Sequence, residues 1–158
     1  MRISKMEDRD CRETLRRLGF GRLGCARENQ PYIVPIYFAY EPDHLYGFAT
    51  FGQKIEWMRS NPLVCVQSDE VLDSDNWTSV VVLGRYEELP DRNEYAEERG
   101  KAQALLEKRS MWWQTSYVAS SVCDRPEAPS PVFYCIHIDD ISGLRACPEG
   151  ASSATTYS

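Results

Sequence analysis

The chain has 158 residues, 42% of them hydrophobic and 27% charged, enough for one ordinary core and too mixed for a low-complexity or membrane-spanning chain. Its formal net charge of −6 argues against a broad nucleic-acid or anionic-membrane surface, because phosphates are held by surplus Lys and Arg. A local basic pocket stays open, and Met1 to Asp8 has no apolar stretch behind its basic residues, so a cytoplasmic protein is expected.

Glu7 to Leu18 puts Cys11, Leu15 and Leu18 on one helical face and stops at Gly19, predicting a short amphipathic helix. Gly21 to Ala26 reads as a strand, residues 27–30 as a polar turn, and Pro31 to Tyr40 as an aromatic, β-branched strand completing a hairpin. After a turn at residues 41–44, Leu45 to Thr50 returns as the third strand of an antiparallel meander. The period then changes at Phe51-Gly52, and a short helix around Ile55, Trp57 and Met58 stops at Asn61-Pro62. Leu63 to Gln67 is a strand, Ser68 to Asn76 an acidic loop, and Trp77 to Leu89 a long strand with Gly84 as its bend point.

Pro90-Asp91 opens a charged helix to about Lys108, with Ala96, Ala102, Leu105 and Leu106 available for burial, followed by Met111, Trp112 and Trp113. Residues 124–131 hold three prolines and form a loop, Val132 to Ile138 is a final core strand, and 148–158 is a small, polar, disordered tail. Many strands, few helices and no strand–helix–strand alternation favour a small β-barrel with peripheral helices, as a single domain over residues 1–147.

The six cysteines are scattered, without a CxxC pair or zinc-finger spacing, so they read as reduced buried thiols and no metal site is expected. Only two histidines occur, His44 in a turn and His137 in an apolar strand, and both read as structural. No nucleophile or acid–base set emerges. Two segments carry chemistry. A strand ending at Thr50, a turn at Gly52 and a helix opening at Gln53-Lys54 would offer backbone N–H groups, a hydroxyl and an ammonium to one anion, although a helix cap and a surface charge would look the same. Pro35 interrupts the strand Tyr32 to Tyr40; it cannot donate to a ladder, so an edge, a bulge or a flat ligand must meet the backbone there.

The runs GQKIEWMRSNPLVCV (52–66) and WTSVVVLGRYEELPD (77–91) resemble the pyridoxamine 5′-phosphate oxidase-related family of flavin-binding split barrels, over roughly residues 7 to 145. The resemblance implies a six-stranded antiparallel split β-barrel and a homodimer holding FMN between subunits. It implies that Val34, Pro35, Ile36 and Tyr37 lie against the isoalloxazine ring, that Phe48, Ala49 and Thr50 line the ribityl chain, and that Gln53 and Lys54 meet the phosphate. Trp77 and Ser79 fall where the family's partner strand closes over the flavin. A small-molecule substrate is implied, with electrons passing from a reduced nicotinamide to a small acceptor. A non-catalytic flavin-binding or redox-sensing protein, or a haem- or deazaflavin-binding relative, stays open. The chain lacks the basic C-terminal motif of true pyridoxamine phosphate oxidases, so vitamin B6 oxidation is not expected. Phe48 stands where the nitroimidazole-resistance branch carries a histidine, and neither histidine is well placed for the haem-degrading branch. The helix before Trp112 and Trp113 resembles one followed by a double tryptophan in a subgroup of these flavoproteins, and the indoles are expected to bury apolar area at the dimer seam, or else to cap the cofactor groove.

Overall fold

A computed structural model describes residues 1–109 and 131–150. Its elements, in chain order, are β1 (Arg2–Lys5), α1 (Asp8–Leu18), β2 (Phe20–Arg27), β3 (Gln30–Tyr37), β4 (Ala39–Glu41), β5 (His44–Thr50), α2 (Gln53–Ser60), β6 (Leu63–Asp73), β7 (Asn76–Leu89), a single 3-10 turn (Asn93–Tyr95), α3 (Ala96–Glu107) and β8 (Pro131–Cys147). All the strands join one antiparallel sheet in the order β3-β2-β6-β7-β8-β5-β4, with β1 also paired to β8.

Local chemistry accounts for the element ends. Helix α1 carries Asp8 and Asp10 in its first turn and Arg16 and Arg17 in its last, matching its dipole, and ends at Gly19 in the left-handed region. The β2–β3 hairpin turns at Glu28 and Asn29, both at positive φ, as a two-residue turn with right-handed twist requires. Phe38 breaks the run Pro31 to Tyr40 into β3 and β4, and its N–H bonds to the Gly19 carbonyl. This bend carries the chain from one end of the sheet order to the other: β3 pairs with β2, and β4 pairs with β5. The barrel is therefore closed by a single bent segment and split beside it.

The sheet has eight strands where six were expected. The bend at Phe38 makes two strands of one, and Arg2–Lys5 adds another. Residues 68–73, read as an acidic loop, continue β6, because their carboxylates find arginines: Arg17 clamps Glu70 through two 2.8 Å bonds and Arg22 meets Asp69. The last strand does not stop at Ile138 but runs to Cys147, its polar half pairing with β7 and β1 across a bulge at Asp139. Gly84 stands opposite that bulge, where an added Cβ would meet the His137 carbonyl. The helix expected from Pro90 begins only at Ala96, after the 3-10 turn. Trp112 and Trp113, the loop over residues 124–130 and most of the tail lie outside the described residues.

Two apolar clusters result. The barrel interior holds Leu15, Leu23, Ile36, Ile55, Val66 and Tyr134 among others, and each fully buried aliphatic side chain contributes roughly 1.5–3 kcal/mol. The second lies under α3, where Tyr46, Leu89, Ala102, Leu106, Phe133 and Cys135 meet. No described helix is long and apolar enough to cross a membrane.

Candidate functional site

The β4–β5 ladder pairs Glu41 with His44, Tyr40 with Leu45 and Ala39 with Tyr46, and stops there. Continuing that antiparallel register backward would set Tyr37 opposite Phe48, Ile36 opposite Ala49 and Pro35 opposite Thr50. No β3–β5 ladder forms, yet the two strands approach one another. The split thus lies between the two segments singled out in the sequence. Pro35, without an N–H, explains part of the failure to pair.

Along β3 the side chains alternate. Ile36 is buried in the barrel and Val34 packs on that core, while Pro35 and Tyr37 face outward, Tyr37 against the Phe20 ring at 5.1 Å. On β5, Ala49 is inside the barrel and Phe48 meets Phe133 on the outer face, with ring centroids 4.9 Å apart. Because Ile36 and Ala49 spend their side chains on the core, only their backbones can serve a ligand in the split. Behind them Gly47 lets the Tyr134 ring approach, since a Cβ there would overlap that ring. The Tyr134 hydroxyl is buried and has no hydrogen-bond partner among the described residues.

Thr50 delivers the chain to the start of α2, which begins after an extended Gly52 with no side-chain cap. The N–H groups of its first turn are therefore open to an external acceptor. Gln53 is exposed there. Lys54 is half-buried next to Cys25, and that burial holds its ammonium below the usual lysine range, the Cys25 thiol opposing weakly. Among the described residues it has no ion pair. Helix α2 is fixed over the β2–β3 hairpin by the Tyr32–Trp57 ring contact at 5.4 Å, by the Arg27–Glu56 ion pair and by the Asn61 amide donating to the Ala26 carbonyl.

The structure brings together nine of the eleven sequence-predicted residues: Val34, Pro35, Ile36 and Tyr37 on β3, Phe48, Ala49 and Thr50 on β5, and Gln53 and Lys54 on α2. It sets Trp77 and Ser79 apart. They lie on the outer sheet face near the start of β7, three strands from β3, or roughly 14 Å at about 4.8 Å per strand. There they line a hollow of about 490 Å³ with Arg22, Gln67 and Asp69. Its groups satisfy one another: Arg22 donates to Asp69 at 2.5 Å, and the Gln67 amide donates to Asp69 and to the Ser79 hydroxyl, each at 3.1 Å.

Next to that hollow, β2, β3, β6 and β7 present an apolar groove of about 510 Å³. A lateral row Ile33–Gly24–Cys65–Leu83 crosses it, and Ile33 is 68% exposed, Leu63 64% and Leu83 51%. Sequence reasoning missed this face and also the convergence of His44, Cys135 and His137, because both depend on strand register rather than on spacing along the chain.

A family profile described as pyridoxamine 5′-phosphate oxidase matches residues 7–145. An uncharacterised protein of Rhizobium meliloti (strain 1021) is 40% identical over 147 residues, covering 93% of this chain and 97% of its own length. The crystal structure of a FAD-binding protein from Mesorhizobium loti is 42% identical, with a TM-score of 0.76, covering 94% of this chain and 99% of that one. The FAD-binding protein of Mycobacterium smegmatis, 17% identical, shares the fold with a TM-score of 0.62 over 90% of this chain and 98% of its own.

Proposed function

The chain belongs to the pyridoxamine 5′-phosphate oxidase family, and from that premise we propose that it is a flavin-binding protein whose cofactor sits in the β3–β5 split with its phosphate at the start of α2. The observation that carries the reading is Lys54, a half-buried ammonium with no ion pair among the described residues, beside the uncapped first turn of α2. Such a group is held against its solvation preference, and a phosphate both neutralises it and accepts from the free N–H groups. The donor set fits a phosphorylated flavin: N–H groups and an ammonium at one end, and strand backbone left out of the ladder at the other.

A bound flavin supplies the redox chemistry, here from a reduced nicotinamide to a small acceptor. The chain's own residues bind and orient. Lys54, Gln53 and the first-turn N–H groups anchor the phosphate, Thr50 and Ala49 border the connecting chain, and the Val34–Tyr37 backbone holds the ring's polar edge. FMN satisfies this set. FAD is the second reading, because the 42%-identical Mesorhizobium loti protein is named as FAD-binding, and its phosphate would meet the same corner.

The working unit in this reading is a homodimer. Its support is the exposed apolar row on the outer face, with Trp77 and Ser79 at its border. Two copies joined there could bring Trp77 and Ser79 of one chain toward the split of the other. The test is the visible spectrum of the purified protein, with mass identification of whatever cofactor heat releases. A yellow protein releasing FMN or FAD is expected; a folded, colourless protein that takes up neither would overturn the proposal. Anaerobic mixing with reduced nicotinamide then separates an oxidoreductase, whose flavin bleaches, from a sensor, whose flavin stays oxidised.

A further inference from the structure

The antiparallel β5–β8 register sets His44 opposite His137 and Tyr46 opposite Cys135, all facing the outer side of the barrel. One potential ligand atom from each of His44, Cys135 and His137 lies within 4.8 Å of the other two. The imidazole rings meet edge to face, 4.9 Å between centroids.

What distinguishes this group from an ordinary ring contact is the second nitrogen of each histidine. His44 Nδ1 lies 3.1 Å from the Pro42 carbonyl oxygen, which can only accept. The proton is therefore on Nδ1, and Nε2 presents a lone pair. His137 Nε2 lies 2.5 Å from a carboxylate oxygen of Glu87, so that nitrogen donates and Nδ1 carries the lone pair in the neutral ring. A carbonyl or carboxylate behind each imidazole is the outer-shell arrangement that orients histidine ligands on metals. Cys135, next to them, is fully buried; burial above all, and then the nearby Glu98 of α3 and Glu87 opposite it on β7, disfavours its thiolate. The thiol thus sits at the edge of the apolar cluster under α3 with two carboxylates nearby, and a dication would offset both effects on its thiolate.

We propose that His44, Cys135 and His137 bind a zinc-class divalent transition-metal ion, with Glu87 and the Pro42 carbonyl as outer partners. Two imidazoles and a thiolate suit a borderline-soft cation and not Mg²⁺ or Ca²⁺, which take oxygen ligands. Metal bonds of about 2.0–2.3 Å place tetrahedral donors roughly 3.3–3.7 Å apart, so closing the site needs side-chain shifts of about an ångström. As the metal–sulfur bond forms, the thiol proton leaves to solvent and no electron is transferred. A fourth position stays open for water. The partly exposed His44 and His137 give the ion its way in, and the site ties β5 to β8 at the opposite end of β5 from Thr50, roughly 20 Å away at about 3.3 Å per residue. It does not depend on flavin binding.

The test is zinc titration of the chelator-treated full-length protein against a chromophoric chelator, with Co²⁺ as a spectroscopic probe in difference spectra. Expected are one Zn²⁺ per chain and a near-ultraviolet thiolate-to-cobalt band. H44Q and C135S should each weaken binding at least tenfold, E87Q about tenfold, and C65S not at all; C135S should also abolish the cobalt band. His44 is partly exposed at the start of β5, so H44Q keeps the test valid should C135S not fold. A wild-type protein that takes up no stoichiometric Zn²⁺ at tens of micromolar, or uptake unchanged in H44Q, would overturn the proposal.

Discussion

The corner where β5 runs into α2 and the hollow beside Trp77 are both polar, but they hold their polar groups in opposite ways. In the hollow, Arg22, Gln67, Asp69 and Ser79 donate and accept among themselves. At the corner, Lys54 and the first-turn N–H groups of α2 have no such partners among the described residues. A saturated network is stable as it stands, whereas groups desolvated without partners cost free energy that a ligand returns. In the proposed reading the corner anchors a phosphate and the hollow borders a second copy, and the contrast supports that division.

The largest expected effect breaks the pairing of these two regions. Replacing Leu63 and Leu83 together by glutamate places charge on the apolar outer face; the protein should become monomeric by light scattering and lose flavin affinity by about a hundredfold or more, since buried unpaired charge at a seam costs several kcal/mol. A variant that stays dimeric would move the seam elsewhere. Gly47→Ala drives a Cβ into the Tyr134 ring behind the split and should destabilise by about 2–3 kcal/mol in urea unfolding. Tyr134→Phe removes the buried hydroxyl that lacks a partner among the described residues and should instead stabilise, by roughly 1 kcal/mol.

The smallest effect concerns a pair on the far side of α2. Arg59 clamps Glu88 through two 2.7 Å bonds and holds its carboxyl below the usual glutamate range, burial opposing. A depressed folded-state pKa stabilises above the ordinary glutamate value and loses that contribution as pH falls through the folded value. Arg59→Met should therefore cost under about 1 kcal/mol at neutral pH, both partners being partly solvated, with the gap to wild type closing in acid by thermal unfolding.

Much of this was legible in the chain itself. Gly19, Asn61-Pro62 and the alternating strands announce their elements, and Thr50 to Lys54 reads as a strand feeding a helix. Other parts were not. Residues 68–73 and 139–147 look too polar for strands until their partners are known: arginines from α1 and β2 in one case, β1 and β7 in the other. The break at Phe38 falls where the β2–β3 pairing runs out at Gly19, whose carbonyl takes the Phe38 N–H. Trp77 and Ser79 belong to the resemblance, and only the sheet order reveals that they stand three strands from β3 and two from β5. His44 and His137, dismissed singly, meet because two strands pair in one register, which spacing along a sequence does not encode.

Binding of FMN and of riboflavin to the flavin-free protein, measured for wild type and Lys54→Ala, tests the phosphate corner most directly. The two ligands share the ring and differ in the phosphate. A charge-assisted hydrogen bond of about 1.5–3 kcal/mol corresponds to a loss of roughly ten- to hundredfold for FMN, with riboflavin affinity changed less than about twofold. Equal losses for both ligands, or no loss for either, would contradict the assignment of the phosphate to Lys54.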